Sequence, residues 1–76
     1  MDDIQIEYES YMWWAQVYMT NKKGTKYAAA VSPINTNALL SLYNVTKGRL
    51  CTMKSAPKWV QKTIEEQIPI VAIMLS

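Results

Sequence analysis

Cys51 is the single cysteine of the chain, and no histidine is present to accept its proton. Thiol chemistry needs such a base or a lowered pKa. Arg49 and Lys54 are near enough in sequence to lower it, but a mid-strand thiol without histidine reads as a structural group. The same counts exclude His-based acid–base catalysis, Cys/His zinc sites and an internal disulfide. Glu65 and Glu66 are adjacent and point to different parts of a helix, so they do not form an acid–base pair. Asp3, Glu7 and Glu9 alternate on one strand face with a spacing able to hold a hard cation. Neither a glycine loop nor a second acidic segment accompanies them, so a solvated face is the simpler reading. P-loop, GxGxxG, G-x-S-x-G and C-x-x-C patterns are all missing. No cofactor and no metal is expected, and the chain does not read as an enzyme.

What remains is chemistry of binding. Trp13-Trp14 falls in a run rich in aromatic and β-branched residues, where alternation sends one indole inward and the other outward. Trp14 and Tyr18 are expected on the outer face beside Ala28 and Ala30, whose small side chains leave a shelf next to two aromatics. Trp and Tyr dominate binding hot spots; burial of Trp14 under a helix is the alternative. The bases are Lys22, Lys23 and Lys26 around a hairpin tip, Lys47 and Arg49, and a row Lys54, Lys58, Lys62 at i, i+4, i+8. They could contact phosphates while exposed aromatics stack bases, or dock on an acidic protein. A solvated turn and helix face is the bland alternative. One arginine, no RNP-like motif and a pI of 8.8 argue against dedicated nucleic-acid binding.

The elements that must position these residues follow from periodicity. Ile4, Ile6 and Tyr8 alternate with Asp3, Gln5, Glu7 and Glu9, the period of a half-buried strand over Ile4–Glu9. A second strand runs through Tyr11 to Thr20. Asn21-Lys22-Lys23-Gly24-Thr25 has the order of a type I turn closed by a left-handed glycine. That loop pairs Asn21 with Thr25 and sets Met19 against Tyr27, Val17 against Ala29, and Tyr18 against Ala28. Ser32-Pro33 ends the third strand. Asn35 or Thr36 caps a helix to about Val45, with Leu39, Leu42 and Tyr43 on one side, and Lys47-Gly48 stops it. Arg49 to Lys54 is a short strand. Ser55 caps a second helix to about Gln67, and Pro69 stops that one. Ile70 to Leu75, apolar at every position, reads as a strand buried on both faces.

The expected architecture is therefore a small single-domain α+β fold over residues 1–76, β-β-β-α-β-α-β, with a sheet of four to five strands and two short helices. Half of the 76 residues are apolar and 18 % are charged, so the chain is not disordered by composition. A chain this short buries only about 60 % of its unfolded surface, and a stability of ~5 kcal/mol is expected. With no Phe, the bulky residues are three Trp, five Tyr and five Met; Tyr and Trp carry polar tips that favour interfaces. No apolar run reaches the ~20 residues of a membrane span. The acidic start lacks a secretory pattern and the lone cysteine suits a reducing compartment, so the cytoplasm is expected. The net charge is +2, but the acids sit near both ends and all the bases lie in 22–62, a segregation that can steer a charged partner.

Two short helices cannot cover both faces of such a sheet, while the second and last strands are apolar on both. A partner should cover the rest, most simply a second copy in a sheet-to-sheet homodimer. The expected function is a small non-catalytic protein-binding module. It would be an inhibitor or adaptor of the sort encoded by phages and mobile elements, blocking a host protein. It would act through Trp14, Tyr18, Lys22, Lys23 and Lys26. The alternative is a nucleic-acid-binding protein using the basic segment 22–62.

Overall fold

The computed structural model describes residues 3–34 and 37–76. Five strands form one antiparallel sheet in sequence order: β1 (Gln5–Ser10), β2 (Ala15–Thr20), β3 (Lys26–Val31), β4 (Leu39–Asn44) and β5 (Arg49–Cys51). One helix follows, α1 (Lys58–Met74). The α+β class stands, but the β-β-β-α-β-α-β order with two short helices does not.

The β2–β3 hairpin follows its turn chemistry. Gly24 has φ +88°, its N–H donates to the Asn21 carbonyl at 3.0 Å, and the Asn21 N–H donates to the Thr25 carbonyl at 3.0 Å. The Asn21 side-chain oxygen accepts from the N–H groups of Lys23 and Thr25 at 3.0 and 2.9 Å. The register that results sets Met19 against Tyr27, Val17 against Ala29 and Tyr18 against Ala28, as the loop length requires.

Residues 39–44 form a strand where a helix is expected. Leu42 and Asn44 are buried and Ser41 and Tyr43 exposed, a period of two. The cause is tertiary: β3 is buried at five of its six positions, so its backbone needs ladder partners on both edges, and β4 supplies the second set. The expected caps Asn35 and Thr36 lie outside the described residues. Gly48 does end this element, but as the left-handed residue (φ +69°) of the β4–β5 turn rather than a helix stop. Its N–H donates to the Asn44 carbonyl at 2.8 Å, and the Asn44 side-chain oxygen accepts from the Lys47 N–H at 3.0 Å. Both turns are thus opened by Asn and closed by Gly.

The second correction is the C-terminal segment. Ile70 to Leu75 is not a strand, and no β-α-β crossover occurs among the described residues. The helix runs through Pro69 to Met74. An apolar run fits a buried strand or a helix equally well by pattern alone. Gln67 and Val71, at i and i+4, are buried while Pro69 and Ile70 are exposed. Pro69 therefore sits on the solvent side, where a curving helix already lengthens its bonds and water can satisfy the freed carbonyl. Ser55 does not cap the helix: its hydroxyl bonds within the Thr52–Ser55 turn at 2.7 Å to Thr52 Oγ1, and α1 starts after Pro57 without a side-chain cap.

The core lies between α1 and one sheet face. Val60, Ile64 and Val71 meet Ala15, Val17, Met19, Ala29, Val31 and Leu42, all 2 % exposed or less. Trp59 packs edge-on against Tyr27, ring centroids 5.8 Å apart, and the Asn44 amide donates to the Tyr27 hydroxyl at 3.1 Å. At the other margin the Tyr8 hydroxyl donates to Gln67 Oε1. The helix thus crosses the sheet from β3 toward β1. No helix among the described residues is long and apolar enough to cross a membrane.

Candidate functional site

Direct cross-strand partners share a sheet face, so the register assigns every side chain. One face, Tyr8–Val17–Ala29–Leu42–Cys51 and Ile6–Met19–Tyr27–Asn44–Arg49, lies toward α1. The other carries the rows Glu7–Tyr18–Ala28–Tyr43–Leu50 and Glu9–Gln16–Ala30–Ser41, with Lys26 beside Thr20. No element among the described residues covers this open face.

Tyr18 stands on β2 within this face, between Glu7 and Ala28. Its hydroxyl donates to Glu9 Oε1 at 2.7 Å, and Lys26 Nζ lies 5.0 Å from its ring centroid, within cation–π range. The hydrogen bond to Glu9, then burial, then the negative charges nearby hold its pKa above the ordinary 10.0. The expected shelf of Ala28 and Ala30 is closed: they are only 4 % and 8 % exposed. What protrudes beyond them is Tyr43 and Leu50, 38 % and 75 % exposed, which strand alternation alone did not reveal because 39–44 read as helical.

Trp14 is half-buried just before β2 and stacks on Tyr11, with centroids 4.4 Å apart and planes 17° from parallel. Trp13 does not enter the core with Ala15 and Val17. It sits in the β1–β2 turn, half exposed, with its carbonyl accepting from Ser32 Oγ at 3.0 Å. That turn and the β3–β4 connection lie at the same end of the meander, where Met12 is 93 % and Ile34 75 % exposed.

The opposite end is basic. The β2–β3 turn carries Lys22 and Lys23, and the β4–β5 turn carries Lys47 with Arg49 after it. Lys26 ties the two: its N–H donates to Thr46 Oγ1 at 2.8 Å, and its carbonyl accepts from Val45 and Thr46 at 2.9 and 3.3 Å. The antiparallel order thus brings together two basic groups, Lys22 and Lys23 on one turn and Lys47 and Arg49 on the other, that are distant in sequence. Beside them an open groove of about 440 Å³ is walled by Tyr27, Asn44, Lys47, Arg49, Leu50 and Ser55. Lys54, Lys58 and Lys62 are exposed, but not as one row. Lys54 lies in the turn before the helix, leaving only Lys58 and Lys62 on α1.

Cys51 is half-buried, its sulfur 3.6 Å from Ser55 Oγ. It lines an apolar groove of about 420 Å³ between sheet and helix with Leu39, Leu42, Met53, Ile64 and Ile68. Among the described residues no group of three or more His, Cys, Asp or Glu is placed to hold a metal. Comparison with protein-family models, curated proteins and solved structures finds no match to this chain.

Proposed function

We propose that the chain is a small, non-catalytic protein-binding module of the cytoplasm, an inhibitor or adaptor that docks an acidic protein surface. Phage- or mobile-element-type blocking of a host protein is the setting this reading suits. One observation carries it: Lys22, Lys23, Lys26, Lys47 and Arg49 gather at one end of a sheet whose open face presents Tyr43 and Leu50. Aromatic and apolar anchors supply affinity on such surfaces and the bases speed encounter.

Nucleic acid is the second reading, favoured by the two tyrosines flanking Ala28 beside a basic end. Glu7 and Glu9 weigh against it. They share the open face with Tyr18 and repel a phosphate backbone laid across it. Lys54, Lys58 and Lys62 then serve as general positive charge rather than as contacts.

The test places a photo-crosslinking residue at Leu50 in the cell. One discrete acidic protein should be trapped, and lost in Tyr43→Ala and in Lys22→Glu plus Lys47→Glu. A product of twice the chain mass identifies a homodimer on this face instead. Salt-sensitive binding of a single-stranded oligonucleotide, unaffected by Tyr43→Ala, would overturn the protein reading.

A further inference from the structure

β1 is a six-residue edge strand, and no strand among the described residues pairs with its outer side. Two turn bonds fix which amides it presents. The Asn21 N–H bonds the Thr25 carbonyl, so by alternation Met19, Val17 and Ala15 bond to β3, and Thr20, Tyr18 and Gln16 to β1. The Tyr11 N–H bonds the Trp14 carbonyl at 2.8 Å, which gives the same phase from the other end. Gln5, Glu7 and Glu9 therefore spend their backbone groups on β2. The N–H and C=O groups of Ile6, Tyr8 and Ser10 point outward, and no described residue hydrogen-bonds to them there.

Side chains select what can pair. Ile6 and Tyr8 lie on the helix-side face, while Gln5, Glu7 and Glu9 lie on the open face. A second copy pairing antiparallel through β1 sets acid against acid. Centred on Tyr8 it opposes Glu7 to Glu9 twice; centred on Ile6 it opposes Asp3 to Glu9. Like charges directly across a ladder are destabilising, and charges on an edge are a common guard against self-association. An incoming strand with lysine or arginine at alternate positions and apolar residues between them meets the opposite situation. Its bases flank Glu7 and Glu9 on one face, and its apolar side chains flank Ile6 and Tyr8 on the other.

We infer that the β1 edge is a strand-addition site for an extended, alternately basic and apolar segment of another protein, separate from the basic end. Backbone bonds supply the affinity and the two glutamates the choice of partner.

The probe is a capped peptide alternating lysine and valine over the length of β1, added to the isotope-labelled protein. The expected result is slowed hydrogen exchange at the Ile6, Tyr8 and Ser10 amides. Binding should weaken roughly fivefold in Glu7→Gln plus Glu9→Gln and vanish for the fully N-methylated peptide. Equal binding of the N-methylated peptide means charge attraction without strand addition and overturns the inference. So does unchanged exchange at the three amides under saturating peptide, or protection already present without peptide in a protein that sediments as a dimer. Full binding by the double glutamine variant removes the basic character assigned to the partner.

Discussion

The Tyr18 hydroxyl donates a 2.7 Å hydrogen bond to the Glu9 carboxylate across the open sheet face, with Lys26 Nζ 5.0 Å from the same ring. An acid, an aromatic ring and a base are thus joined in sequence on one surface. Because only the neutral phenol can donate, the bond favours the protonated form and the folded pKa lies above 10.0. The contribution to stability is fully present below pH 10.0, the unfolded value, and is lost as pH rises through the higher folded one. Ultraviolet titration should show Tyr18 ionising above 10.0, and Glu9→Gln should bring it down toward that value. No change in the variant would mean the bond does not persist in solution.

Gly24 holds φ +88° with nothing within 4 Å of where a Cβ would project. Gly24→Ala is therefore a test of backbone strain alone and should destabilise by about 1–2 kcal/mol in denaturant unfolding. Asn21→Ala strips the acceptor from two turn N–H groups and should cost about 1–2 kcal/mol. The two effects should fall short of additive, since both act on one turn.

Ile64 is 1 % exposed between the helix and the sheet. Ile64→Ala should cost about 3 kcal/mol by lost transfer energy and cavity. Against ~5 kcal/mol in total, that leaves a domain partly unfolded on modest warming, visible as a lowered Tm by circular dichroism.

Pro69 interrupts the helix ladder on its solvent side. Pro69→Ala restores an N–H and removes a ring clash worth about 3 kcal/mol, less up to ~1 kcal/mol from the looser unfolded chain. The variant should be about 2 kcal/mol more stable, with helical ellipticity kept or raised. A loss of stability would indicate that 70–75 is not helical in solution.

The parts legible in sequence were those governed by local geometry. Asn21 and Gly24 dictate one loop, and that loop dictates the pairing of Val17 with Ala29. Alternation across Ile4–Glu9 is likewise local. Leu39, Leu42 and Tyr43 fit a helix as well as a strand, and only the buried backbone of β3 decides between them. Pro69 is ambiguous for a related reason. Whether a proline ends a helix depends on which side of it faces water, and no spacing rule contains that. The site depends on the same two segments. Tyr43 and Leu50 become neighbours only through the pairing of β4 with β5, which periodicity does not supply, and the bases of the β2–β3 and β4–β5 turns meet only because residues 39–44 are a strand. By spacing alone the acids of β1 fit a solvated face, and the ladder phase beside them follows only from the turn bonds at the ends of β2, which no spacing rule contains.

Every strand of this sheet pairs with its neighbour in sequence, so each ladder closes through a short loop, a topology of low contact order that forms quickly. The 17-residue helix that covers the apolar face comes after all five strands in the chain. During synthesis the sheet can therefore be complete while Val17, Met19 and Val31 still lack their cover. In that interval the nascent chain is a sticky hairpin array, and its safety from aggregation depends on how soon α1 emerges to dock.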